Sequence, residues 1–134
     1  MTATTLEGTI QQLLAADTAL SALVGNRIYP GIAPQDCARP YVVFLRTEGR
    51  NLGTLGGRGV HDLHQFGFGC AADLDDAMEA IAVSVALRKA LDSYSSNGVL
   101  QAAIFVGQQQ EAMADPSGRQ LHLVTLHFSV LSAE

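Results

Sequence analysis

Two segments of this chain carry apolar residues at every second position, and that period limits the fold more than any other feature. Phe66, Phe68 and Cys70 share one side of a segment from about Val60 to Ala71, with Gly67 and Gly69 opposite them. Val124, Leu126, Phe128 and Val130 do the same within Leu121 to Leu131. Successive side chains on a strand point to opposite faces, so each segment reads as a strand with one apolar face that must be covered. Tyr41 to Thr47 and Val99 to Gly107 read as two further strands, and Asp115-Pro116-Ser117-Gly118 is the turn signal before the last one.

Helices supply the cover. Thr4 to Glu7 spells a capping box, after which Leu6, Ile10, Leu13 and Leu14 fall on one helical stripe. Asp17 restarts a second short helix carrying Leu20 and Leu23, and Gly25 can take the left-handed conformation that stops it. A third helix runs to about Asp92, with Asp73, Asp75, Asp76 and Glu79 at its start, where negative charge suits the helix dipole. Its main stripe is Leu74, Met78, Ile81 and Val85, yet Val83 and Leu87 lie on the far side, and Ala80 to Leu87 holds no charge. A helix apolar almost all round is buried on more than one side.

Between the second helix and the sheet lies VGNRIYPGIAPQDCARPYVVF, Val24 to Phe44. Arg27 to Tyr29 is a brief strand, Pro30-Gly31 a turn, and Pro34 and Pro40 keep the loop out of helix until the strand at Tyr41. The order is therefore α-β-β-β-α-β-β. This is an α+β fold: an antiparallel sheet of about four main strands with helices packed on it, expected as one domain over residues 1–134.

Composition restricts the function. Net charge is −5 and the eight basic residues are scattered, which argues against a nucleic-acid surface. No apolar run approaches the ~20 residues that span a bilayer, and no basic leader precedes an apolar stretch. Cys37 and Cys70 match neither a disulfide framework nor a metal spacing, so both are expected as free thiols in a reducing cytoplasm. Charged residues are 16% of the chain beside 48% hydrophobic, where soluble domains average about 25% charged. Either the outside is unusually neutral or part of it is a subunit interface; the interface is the favoured reading.

The search for reaction chemistry returns weak signals. Gly67-Phe68-Gly69-Cys70-Ala71-Ala72 matches G-x-G-x-x-A, but the strand before it reads VHDLHQF where a dinucleotide fold needs a continuous apolar run. Glycines that let a helix pack close to the sheet explain it better. His61 and His64 sit three apart and His122 and His127 five apart, spacings that a strand splits between faces. Asp73, Asp75, Asp76 and Glu79 suit a helix cap better than a cation site. Arg46, Arg50, Arg58 and Arg119 form an anion site only if folding gathers them. No nucleophile elbow or phosphate loop is present, so no catalytic residue, metal or cofactor is assigned.

Three segments together resemble the tail-completion or tail-terminator family of long-tailed bacteriophages. They are Leu13-Leu14-Ala15-Ala16-Asp17 with Leu20 to Pro30, Pro40-Tyr41-Val42-Val43-Phe44 after Ala33-Pro34-Gln35, and Leu121 to Val130 after a turn of the Asp-x-x-Gly kind. The resemblance implies a structural virion protein, not an enzyme, assembled in the host cytoplasm and located at the head-proximal end of the tail. It would close as a homo-oligomeric ring, a hexamer, on the finished tube, stop polymerisation and dock to the head connector. Its partners would be itself, the tail tube protein and the head-tail connector protein, with no membrane and no sequence-specific nucleic acid, although DNA would pass through the ring. The glycine-rich arm from Glu48 to Gly59 and the loop from Gln108 to Gln120 are the expected contact elements, with Arg50, Asn51, Leu52, Leu55, Arg58, Gln108, Gln109, Gln110 and Arg119 as candidate residues. The alternative is a cytoplasmic small-molecule-binding or enzymatic α+β domain using the Gly67 to Ala72 turn or a cross-strand histidine pair.

Overall fold

A computed structural model describes residues 5–31, 33, 38–51, 62–73, 76–92, 100–114 and 120–132. Three helices, α1 (Leu6–Ala16), α2 (Thr18–Val24) and α3 (Ala77–Asp92), accompany five strands, β1 (Ile28–Pro30), β2 (Tyr41–Asn51), β3 (Asp62–Asp73), β4 (Leu100–Ala114) and β5 (Gln120–Ser132). The strands form one sheet in the order β1-β2-β3-β5-β4. The α+β class and the element order agree with the sequence reading. One pairing differs: β1 runs parallel to β2, from Ile28 opposite Val42 to Pro30 opposite Phe44, so the sheet is mixed.

Helix boundaries follow local chemistry. The cap of α1 is Thr5, one residue later than the capping box suggests; its hydroxyl accepts from the Gly8 amide at 3.0 Å. That shift frees Glu7 to accept from Arg46 Nη2 on β2 at 2.9 Å, tying helix to sheet. Asp17 ends α1 and starts α2: its amide donates to the Leu14 carbonyl while its carboxylate accepts from the Leu20 amide. Gly25 closes α2 with φ of 59°, a conformation that favours glycine. Gln11 Nε2 donates to the Ile28 carbonyl at 2.9 Å, which anchors β1 under α1.

The core lies between the helices and one face of the sheet. Phe44, Phe66, Phe68 and Phe128 are buried there with Leu6, Ile10 and Leu14 of α1 and Val83, Leu87 and Leu91 of α3. Phe68 is the hub, with ring centroids 5.7 Å from Phe44, 6.0 Å from Phe66 and 5.6 Å from Phe128. The β3 and β5 alternation places these rings as expected, because Phe66 stands opposite Phe128 and Phe68 opposite Leu126.

The expected face of α3 is corrected. The buried residues are Ala80, Val83, Ser84, Ala86, Leu87 and Leu91, whereas Met78 is 73% and Val85 48% exposed, and Ile81 is partly buried. Small side chains at Ala80, Ser84 and Ala86 let this face approach the aromatic layer, so bulk alone misidentified it. Leu74 and Asp75 lie outside the described residues. Asp73 ends β3 instead of opening the helix, and accepts from Arg39 Nη1 at 2.9 Å.

β4 is also longer than expected. It continues through Gln108 to Ala114, paired with β5 from Gln108 opposite Leu126 to Ala114 opposite Gln120. Residues 108–114 are exposed, so no apolar alternation marked them as strand. The turn at 115–119 and the loop at 93–99 lie outside the described residues, as does Cys37.

Cys70 is fully buried, and burial pushes its thiol from 9.0 up to about 12. The unfolded chain ionises first, so above pH 9 it binds fewer protons than the folded one. Cys70 therefore contributes stability that is complete below about pH 9 and is lost toward pH 12, with a slope of up to about 1.4 kcal/mol per pH unit. Urea unfolding across that interval should show the slope, and Cys70→Ala should lack it. Phe68→Ala should cost about 3–5 kcal/mol in the same measurement, because three rings lose their common partner.

Candidate assembly surface

With one sheet face under the helices, no described helix packs on the other. Phe128 points inward, so Ser129 and His127 point outward, and a Cβ on Gly67 would meet His127 Nδ1 at 3.9 Å on that side. Tyr41, Ala71 and Leu121 form a small buried cluster there, flanked by Tyr29, Val43 and Leu123. Gly69 lets this layer close: a Cβ would lie 3.1 Å from Leu123 Cδ1 and 3.2 Å from Val43 Cγ2. The glycines thus serve strand side chains on the outer face and not, as expected, close helix packing.

Exposed apolar side chains are spread along the sheet, with exposed Glu111 among them opposite Leu123. Ile104 and Val106 on β4 are 62% and 60% exposed, Leu45 on β2 is 57%, and Met113 is also exposed. Among the described residues no helix packs on this side of the sheet. The sequence signal was available: Leu121, Leu123 and Leu131 put apolar residues on the outward positions of β5, beside the inward series.

The candidate residues divide. Gln108, Gln109 and Gln110 are exposed on β4, the strand at one end of the sheet. They lie on a strand and not in a loop, and Gln110 Oε1 is 3.1 Å from His122 Nε2. Arg50 and Asn51 end β2, opposite Leu63 and Asp62. Leu52, Leu55, Arg58 and Arg119 lie outside the described residues, as does most of the arm to Gly59.

The expected turn at Gly67 to Ala72 is corrected, and His61 lies outside the described residues. Gly67 to Ala72 is continuous β3 paired on both sides, so it offers no turn whose amides could hold a phosphate. His64 is buried against Phe66, whereas His127 faces the opposite side of the sheet and His122 meets Gln110. Among the described residues no three His, Cys, Asp or Glu side chains gather into a metal-holding group. Arg46 is engaged with Glu7 and stands 5.6 Å from the Phe66 ring centroid, while Arg58 and Arg119 lie outside the described residues. A cleft of about 320 Å³ where α3 stands over β4 is lined by Ser84, Val85, Arg88, Lys89, Asp92 and Gln108. Arg88 is held in it by Asp92 at 3.2 Å and by the Phe105 ring, 3.8 Å below. Among the described residues no helix is long and apolar enough to cross a membrane.

The family model of tail completion protein gp17 matches residues 8–132, and the chain belongs to that family. It is a structural component of the phage virion tail. One similar structure is a chain of the virion of a native gene transfer agent particle, with a TM-score of 0.71, 22% identity, and 95% of this chain and 94% of that chain covered. Another is the gp17 protein of bacteriophage SPP1, with a TM-score of 0.45, 16% identity, and 92% and 87% covered. No curated protein sequence matches.

If Met78 and Ile104 serve contacts and not the fold, Met78→Gln and Ile104→Gln should each change unfolding free energy by less than about 0.5 kcal/mol. Self-association in sedimentation should fall. A loss of several kcal/mol would place them in the core.

Proposed function

We propose that the whole chain acts as one unit that caps the head-proximal end of the tail tube, closing as a ring that ends tube polymerisation and offers a docking surface to the head connector. The family match over residues 8–132 carries this reading. The likeness to a chain of a gene transfer agent virion supports the fold such a component would use. The exposed apolar side chains of the sheet and the edge of β4 supply contact area without any reaction chemistry, and the protein acts by binding, not catalysis.

A ring of identical subunits needs heterologous contacts, in which two different patches of each copy meet. The hexamer number is taken from the family resemblance. Arg50, Asn51 and the arm beyond them, with Gln108 to Gln110 and Arg119, are the proposed contacts to neighbouring copies, the tube protein and the connector.

Asn51 is paired with Asp62, so replacing residues 52–61 by Asn-Gly rejoins β2 and β3 through a two-residue hairpin turn. The variant should fold, judged by an unchanged circular dichroism spectrum. Tails made with it should fail to stop at their normal length and fail to join heads. Normal tails joined to heads would remove the arm from the proposal.

A further inference from the structure

The two sides of the sheet end differently. β4 stands at one end with β5 as its neighbour, and among the described residues no strand lies beyond it. Its fifteen residues, LQAAIFVGQQQEAMA, contain one charge, Glu111, and no proline or lysine. Natural edges are normally blunted by charge, proline, shortness or bulges; β4 is irregular between Leu100 and Ala102 and between Phe105 and Gly107, and its regular run from Gly107 to Ala114, with one charge, is a template for another strand. At the opposite end β1 covers only Val42, Val43 and Phe44 of β2, so Thr47 to Asn51 runs on without a described strand beside it.

The directions of these two edges are complementary. β2, β3, β5 and β4 alternate, each antiparallel to the next, so β4 runs opposite to β2. When copies are related by rotation about an axis along the strands, β4 of one therefore meets β2 of the next in antiparallel fashion. Exposed Ile104 on β4 and Leu45 on β2 lie on the same face of the sheet.

We propose that the occupant of the β4 edge is a second copy of this chain: the free edge of β4 pairs antiparallel with Thr47 to Asn51 of the neighbour's β2, making the sheets continuous from copy to copy. This rests on the ring reading above, since a head-to-tail junction between unlike edges can propagate to closure. Pairing β4 with β4 would instead be self-complementary and stop at two copies. β1 is confined to Val42–Phe44, and no described strand stands beside Thr47–Asn51, where the incoming strand would pair.

The test is cross-linking of the full chain assembled on tails, in a Cys37→Ser background. Buried Cys70 stays unreactive. Thr47→Cys is combined in turn with Ile104→Cys, Gln109→Cys or Met113→Cys, three outward positions that sample the stagger between copies. Within one chain β2 and β4 are separated by three strand spacings, roughly 14 Å, so a shorter bismaleimide links only different copies. The expected result is a ladder of covalent multimers in at least one double variant and no linked dimers in any single variant. Dimers from a β4 cysteine alone overturn the pairing in favour of β4 against β4. Absence of a ladder in all three, with rings still visible by electron microscopy, overturns this pairing and leaves the ring standing. Tails that carry no ring at all count against the ring reading itself.

Gln109→Pro and Gln110→Pro give an independent check. On an antiparallel edge strand one of two adjacent amides points to the neighbour and the other outward. One variant should fold as native and lose ring formation, while the other loses stability; assembly at native level by both overturns the proposal.

Discussion

Everything in this fold depends on burying one face of the sheet under three helices. Phe44, Phe66, Phe68 and Phe128 lie on that face, and each side chain of this kind contributes about 1.5–3 kcal/mol when fully buried. The visible ion pair between helix and sheet, Arg46 with Glu7, is partly exposed and is worth at most about 1 kcal/mol. Aromatic burial therefore sets the arrangement, and polar contacts such as Gln11 to Ile28 adjust how the helices sit on it.

The same burial makes the subunit one-sided. Because the helices pack on the aromatic face, the other face holds a separate small cluster of Tyr41, Ala71 and Leu121, with Tyr29, Ala33, Val43 and Leu123 against it. Glycine at position 69 lets Val43 and Leu123 close over the strand. Such a surface suits a protein whose family completes phage tails, since it adds contact area without endangering the core.

Much of this was legible in the chain, for a definite reason. The alternation in β3 and β5 arises from a sheet with one strongly apolar face, so Phe66, Phe68, Leu126 and Phe128 were placed correctly. Asp17 was legible as a helix restart because a carboxylate that caps α2 is a local signal. What failed was non-local. The buried side of α3 is made of Ala80, Ser84 and Ala86 around Val83 and Leu87, and only the sheet beneath them decides that Met78 stays out. The end of β4 carries glutamines that read as loop, yet β5 alone is enough to hold them as strand. The outward leucines of β5, Leu121, Leu123 and Leu131, were legible as a second apolar series beside the inward one.

The central claim is that one layer of this protein maintains the fold while the other face of the sheet and its β4 edge make the assembly. Amide hydrogen exchange, followed by mass spectrometry on peptides covering residues 100–114, tests it most directly when dissociated chain is compared with assembled tails. The account predicts that the outward amides of β4 exchange quickly in the dissociated chain and slow markedly on assembly, with β3 and β5 protected in both. Unchanged exchange across β4 between the two states would contradict it.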